Sequence, residues 1–211
     1  VELAKKHPEI IPIAVVRISD GIHDAVKEIN RCEKNVAAFH ISPFSVKMNA
    51  NDKMFYPIYS HCEFLKKPII IHGSLHFWRN SYMWHGHPQY IDEVAVDFPE
   101  LKIIISHGGN GFGPTTLAIA QRHPNVYLEF SALRPKYMAP EFIQAAKQFS
   151  PDVLITEGTR VSDLNPSSSE SSELIVQNKV NEILTKIQNM APKPLIFFEC
   201  SANHIVRLVI F

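Results

Sequence analysis

Histidine and glutamate side chains follow five apolar segments of this 211-residue chain, close to the point where each segment ends. Two of the segments share a pattern, because PIIIHGS and LKIIISHGG both end in a histidine followed by glycine. One histidine in such a place is usually structural, but several at one edge favour a metal site. Imidazole and carboxylate groups are the ligands of zinc-like ions, which can activate a bound water. The five residues are His40, His72, His107, Glu129 and Glu157.

The loop between the two histidine-ended segments, LHFWRNSYMWHGHPQY, contains three histidines and several aromatic residues. Long loops of this kind often cover a pocket, and Trp78 is suited to stack on a planar substrate. His85 and His87 are candidates for metal or substrate binding, although their one-residue spacing is a weak signal.

The glycine-rich turn HGGNGFGP is either a phosphate site or a place of close backbone packing. It matches neither GxGxxG nor a complete P-loop, which favours packing.

Apolar, β-rich segments alternate with amphipathic helical segments over the first 157 residues. In the first pair, EIIPIAVVRIS precedes a helical pattern that starts near Ile22, with Asp20 as its predicted cap. This alternation predicts a parallel sheet covered by helices, in either a (β/α) TIM-type barrel or an open doubly wound sheet. We expect six parallel strands in consecutive order within residues 8–157. His72 and His107 should then lie at the same edge, where such folds perform chemistry.

Composition narrows the class of partner. The chain has 21 basic and 21 acidic residues and no polybasic block, which argues against binding to nucleic acid or to a membrane surface. The three cysteines lie far apart and outside any CxxC pair, so a disulfide framework is not expected. With no apolar run of membrane-spanning length, these features predict a cytoplasmic protein that acts on a small molecule. Homo-oligomer formation is compatible with them.

Three longer segments carry a resemblance to a known family. NDKMFYPIYSHCEFLKKPIIIHGS, HGHPQYIDEVAVDFPELKIIISHGG and RHPNVYLEFSALRPKYMAPEFIQAAKQF resemble the amidohydrolase-related superfamily that includes aminocarboxymuconate semialdehyde decarboxylase and the resorcylate decarboxylases. The resemblance covers about residues 1–150. It implies a distorted (β/α) barrel that holds one divalent metal, usually zinc, and that decarboxylates, hydrates or hydrolyses small carboxylated or cyclic substrates.

The same resemblance suggests roles for individual residues. It implies that His72 is a metal ligand and that His107, beside the metal-bound water, is the general acid or base. Arg79 and Arg134 are candidate clamps for a substrate carboxylate, since guanidinium pairs with carboxylate through two hydrogen bonds. The family's first-strand HxH pair and its last Asp, in a GSDYP-like motif, are both missing here. Glu157 is the candidate to replace that Asp, and the visible metal site is expected to be partial.

The segment after the barrel differs in character. Residues 151–211 contain a Ser-rich loop, an amphipathic helix from about Ser171 to Asn189 and a final strand. They resemble an internal segment of metallo-β-lactamase-fold hydrolases related to the β-CASP ribonucleases, without the HxHxDH ligands of that family. The predicted organisation is therefore an incomplete (β/α) barrel over residues 1–157, followed by an α/β segment over residues 158–211.

Three functions remain open from the sequence. The first is a metal-dependent hydrolase or decarboxylase of the amidohydrolase superfamily, acting on a small carboxylated or cyclic substrate with one divalent ion, zinc by expectation. The second is a metallo-β-lactamase-fold hydrolase. The third is a non-catalytic barrel remnant that acts as a binding protein.

Overall fold

The structure, a computed structural model, describes residues 11–132 and 140–142. One parallel sheet contains β1 Ile13–Val15, β2 Ala38–Ile41, β3 Ile69–Ile71, β4 Ile103–Ile105 and β5 Val126–Leu128. Successive strands are joined by α1 Ile22–Cys32, α2 Tyr56–Phe64, α3 Gln89–Asp97 and α4 Gly113–Arg122. The predicted alternation of strand and helix is confirmed over this part of the chain.

The strand order decides between the two architectures that the sequence left open. The strands lie in the order β1-β2-β3-β4-β5, each parallel to the next. A doubly wound sheet reverses its order at a switch point, whereas a (β/α) barrel adds its strands consecutively. The described segment is therefore part of a (β/α) barrel, and its sheet does not close within residues 11–132. The predicted sixth strand, PDVLITEG, lies outside the described residues.

The two faces of the sheet differ in what covers them. Residues such as Phe39, Ile71 and Ile105 join the main core with apolar residues of all four helices. The opposite face holds a small cluster in which Ala38, Ile70 and Ile104 are buried. A helix layer on one face only is the barrel arrangement, in which the second face points inward. We call this second face the inner face.

Proline and glycine determine how the helices begin. Pro57 and Pro114 lie in the first turns of α2 and α4, where a missing N–H costs nothing. The prediction that Asp20 caps α1 is wrong, because Gly21 occupies the cap position with no side-chain hydrogen bond. Gly21 has a φ of 102°, and this turn leaves Asp20 outside the helix, where it accepts a hydrogen bond from Ser19.

Several predictions concern residues beyond those described. These are the metal and substrate roles of Glu157 and Arg134, the helix from about Ser171 to Asn189, and the α/β segment of residues 158–211.

Within residues 11–132 and 140–142, no helix combines the length and the apolar character needed to cross a lipid bilayer.

The cysteines of α1 and α2 provide a test of the core. Cys32 and Cys62 are free and buried, and burial raises the pKa of the Cys62 thiol to about 12. The pKa of Cys32 is also raised, mainly by burial. Because thiol reagents attack the thiolate, both residues should be unreactive in the folded protein at about pH 8 and should react once it is denatured.

Labelling with a thiol reagent in a Cys200→Ser background, followed by peptide mass spectrometry, measures this directly. Rapid modification of Cys62 under native conditions would contradict the packing of α2 against the sheet.

Candidate functional site

A polar tier follows the apolar layer of the inner face. Side chains two residues apart on a strand share a face, so His40 follows Ala38 and His72 follows Ile70 onto the inner face. Ser106 follows Ile104 in the same way. Four neighbouring strands thereby present polar groups at their carboxyl ends, and these groups are His40, His72, Ser106 and Glu129. His40, His72 and Glu129 were predicted there from the sequence, whereas on β4 the predicted residue was His107 and Ser106 was not selected.

His72 is a neutral, desolvated imidazole. Burial, followed by the neighbouring His107, His40 and His76, lowers its pKa to about 3. Its Nε2 lies 3.3 Å from the hydroxyl of Ser74, which donates its own hydrogen to the Leu75 carbonyl. We assign the tautomer from this arrangement, in which Nε2–H donates to the hydroxyl and Nδ1 carries the lone pair. That Nδ1 is buried and has no hydrogen-bond partner within the described residues.

His107 lies directly beside His72. The centroids of the two rings are 5.1 Å apart, with an angle of 69° between the ring planes. The Nδ1 atom of His107 lies 2.9 Å from the carbonyl oxygen of Ser131 and 3.1 Å from its hydroxyl. The prediction that both histidines lie at the same edge of the sheet is confirmed, while their chemical roles remain predictions.

A left-handed turn carries His107. Its φ is 58°, and Gly108 and Gly109 follow with φ values of 55° and 62°. A non-glycine residue in this region is uncommon and costs about 1 to 3 kcal/mol, a form of strain found mostly at functional sites. The two glycines are needed because an added Cβ at Gly108 would clash with Phe130, and one at Gly109 with Thr116. Of the two sequence interpretations of HGGNGFGP, this favours close packing.

Two further residues, His76 and Phe44, border the site, and neither was predicted from the sequence to belong to it. The ring centroid of Phe44 lies 4.5 Å from that of His72, in an edge-on contact, and 4.4 Å from that of His76, on which it stacks. His76 is buried, and its Nε2 donates to the carbonyl of Tyr82 at 3.0 Å. The only sequence signal for His76 was its position four residues after His72 in the aromatic loop.

Trp78 and Arg79 are the predicted substrate contacts that remain open to solvent. Trp78 is half-exposed and lies edge-on to Phe44, with ring centroids 5.6 Å apart. Both rings line a cavity of about 440 Å³ at the ends of β1 and β2, together with Arg17. Arg79 is exposed. The cavity therefore lies beside His72, since Phe44 lines the cavity and contacts the His72 ring.

His85 and His87 have structural partners. His85 Nδ1 is 2.9 Å from the side-chain oxygen of Asn49. His87 Nδ1 accepts a hydrogen bond from the backbone N–H of Gln89, at the start of α3. Burial lowers the pKa of both histidines from the ordinary value. These contacts fix the aromatic loop, and a direct role in substrate binding remains a prediction for both residues.

Two buried histidine nitrogens, Nδ1 of His72 and Nδ1 of His76, have no hydrogen-bond partner within the described residues, and His72 is the one that fits the predicted metal ligand. His72 is neutral and has a buried lone pair without a hydrogen-bond donor, which is the state in which imidazole ligates a metal. No group of three or more His, Cys, Asp or Glu side chains in the described ranges is close enough to hold an ion. A zinc-like ion requires three or four ligands, so His72 would be one member of a larger set.

Comparisons with known proteins agree with this architecture. Residues 1–155 match the profile of the amidohydrolase family. A solved TIM-barrel protein of uncharacterised function from Bordetella bronchiseptica is 26% identical over 72% of this chain, with a TM-score of 0.62. This chain spans about half the length of that protein, 54%. None of the curated proteins compared with the chain matches it.

Two solved enzymes share the fold at lower identity. A 2,6-dihydroxybenzoate decarboxylase from Rhizobium is 18% identical, over 72% of this chain and 60% of its own, with a TM-score of 0.50. A 4-oxalomesaconate hydratase from Rhodopseudomonas palustris is 20% identical, over 90% of this chain and 62% of its own, also with a TM-score of 0.50. At these identities the likeness is one of fold.

The clash at Gly108 yields a test of the left-handed turn. We expect Gly108→Ala to lower the free energy of unfolding by roughly 2 to 4 kcal/mol, because left-handed strain adds to overpacking against Phe130. In a Phe130→Ala background the same change should cost only the strain, about 1 to 2 kcal/mol. Urea denaturation of the four proteins of this double-mutant cycle measures the difference. Equal costs in both backgrounds would contradict the packing account.

Proposed function

Because the chain belongs to the amidohydrolase family, we propose that it is a metal-dependent hydrolase or decarboxylase acting on a small carboxylated or cyclic substrate. One observation carries the proposal, namely the buried, bare Nδ1 atom of the half-buried His72, whose ring lies beside that of His107. His72 would be one ligand of a divalent ion, zinc by preference, and Glu157 would be a second member of the set of three or four that such an ion requires. When bound, such an ion polarises a substrate oxygen as a Lewis acid.

His107 supplies the proton transfer in this proposal. Its Nδ1 donates to the Ser131 carbonyl, which leaves the Nε2 lone pair available for a proton. In a hydrolysis, His107 takes a proton from the attacking water. In a decarboxylation, it gives a proton to the carbon that loses carbon dioxide. Both uses are general acid–base catalysis and require the ring to lie within hydrogen-bond reach of the reacting atoms.

The cavity beside His72 supports a small, partly aromatic substrate. Phe44 and Trp78 provide apolar ring surface, while Arg17 provides positive charge at its edge. Arg79 and Arg134 are the proposed carboxylate clamps, and His85 and His87 are further proposed substrate contacts. The neighbours in fold suggest the assay panel, which includes 2,6-dihydroxybenzoate and 4-oxalomesaconate.

Replacement of His72 tests the metal ligand. In protein that carries the full set of three or four ligands, zinc loading and desalting should leave about one ion per chain, and His72→Ala should lose both the ion and the activity. His61→Ala is the matched control, because this ring bonds Asn30 on the outer helices and should leave both unchanged. Inductively coupled plasma mass spectrometry measures the zinc content. Full occupancy in His72→Ala would place the metal elsewhere.

Replacement of His107 separates proton transfer from metal binding. His107→Ala should keep its zinc and lose about 10²- to 10⁴-fold in kcat, the usual contribution of a positioned acid or base. Turnover is measured on the substrate of the panel that the wild type accepts. A wild type that binds substrate without turnover and without metal would instead support the non-catalytic binding protein.

A further inference from the structure

The carboxylate of Glu129 is enclosed by main-chain donors. The residue is 4% exposed, and its two oxygens accept hydrogen bonds from the backbone N–H groups of His107, at 3.2 Å, and of Ser131. Its own carbonyl oxygen accepts from the N–H of Gly108 at 2.5 Å. A buried carboxylate is tolerated only when such donors compensate for the lost water. Glu129 thus links the turn that carries His107 to the segment after β5.

That segment contains the hydrogen-bond partner of the histidine ring. The Ser131 carbonyl oxygen is only an acceptor, so the His107 Nδ1 atom 2.9 Å away must carry the hydrogen. The hydroxyl of Ser131, at 3.1 Å, is able to adapt to either state of the ring. The backbone of Ser131 therefore selects the Nδ1–H tautomer, which leaves Nε2 as the atom that exchanges protons.

We propose that Glu129 is a positioning residue, which fixes the tautomer and orientation of His107 by holding the Ser131 carbonyl opposite Nδ1. This inference rests on the proposed function, in which His107 transfers the proton. Both oxygens of the carboxylate are used, one for each backbone segment. A side chain with one acceptor oxygen would bind either the turn at His107 or the segment at Ser131, because the two N–H groups use different oxygens. The distance between the His107 Nδ1 atom and the Ser131 carbonyl oxygen therefore depends on a carboxylate at position 129.

Glutamine at position 129 would break this arrangement with a minimal change of shape. Its side chain has one acceptor oxygen, and its NH₂ group would face one of the two backbone N–H donors. One segment would lose its hydrogen bond, and the left-handed turn would lose part of its support. The matched control is Glu63→Gln, because Glu63 also accepts a backbone N–H, that of Glu100 at 3.0 Å, far from the polar tier.

Nitrogen-15 NMR of the histidine rings in the full-length wild type is the first test. At about pH 8, above the ordinary histidine pKa, the spectrum distinguishes the two neutral tautomers. We expect His107, assigned by its absence in His107→Gln, to be Nδ1-protonated. An Nε2-protonated ring would overturn the proposal. The measurement needs no substrate and no metal, so it stays informative if the proposed activity is wrong, or if Glu129→Gln fails to fold.

The variants form the second test. Glu129→Gln should lose the single-tautomer signal and about 10- to 100-fold in kcat with little change in KM, as is typical for residues that orient a site. Glu63→Gln should retain both. Ser131→Ala should retain the tautomer, because the carbonyl is unchanged. An unaltered tautomer in Glu129→Gln would overturn the positioning role, whatever happens to kcat.

Discussion

The parallel register of β3 and β4 is the constraint on which the site depends. Ile71 lies opposite Ile105, so the residues that follow the two strands emerge at the same level of the sheet. His72 and His107 are 35 positions apart in the chain but have ring centroids 5.1 Å apart. Any slip of one residue would move His72 to the face that the helices cover.

The inner and outer faces impose different requirements on the same short strands. Three or four residues per strand suffice for one apolar layer toward the helices and one toward the barrel interior. The next side chain on the inner face has no apolar layer to join, so a polar residue is accepted there at low cost. This explains why histidine and glutamate occur where the strands end. The glycines after the two histidines have different reasons, since Gly108 and Gly109 adopt left-handed φ values, whereas an added Cβ at Gly73 would clash with Ile91 and Ile105.

Apolar runs and helical periodicity were sufficient to predict the strands, their order and the meeting of His72 with His107. These features depend on local sequence and on the topology rules of βα units. The cap of α1 was misassigned because Gly21, not Asp20, adopts the backbone conformation that starts the helix. His76 and Ser131 were not selected, because their roles arise from Phe44 and His107, which lie far away in the chain. Glu129 was recognised by position alone, and its two backbone partners appear only in three dimensions.

The two adjacent histidines are distinguished by which nitrogen is free. In His72 the described structure leaves Nδ1 bare and desolvated, a state that favours a neutral ring and the binding of a cation. In His107 the Ser131 carbonyl engages Nδ1, so that only Nε2 is left to exchange a proton. Identical side chains therefore acquire different chemistry from their hydrogen bonds and their burial. The proposed roles of His72 as metal ligand and His107 as proton carrier therefore follow from the groups that surround each ring, rather than from the ring itself.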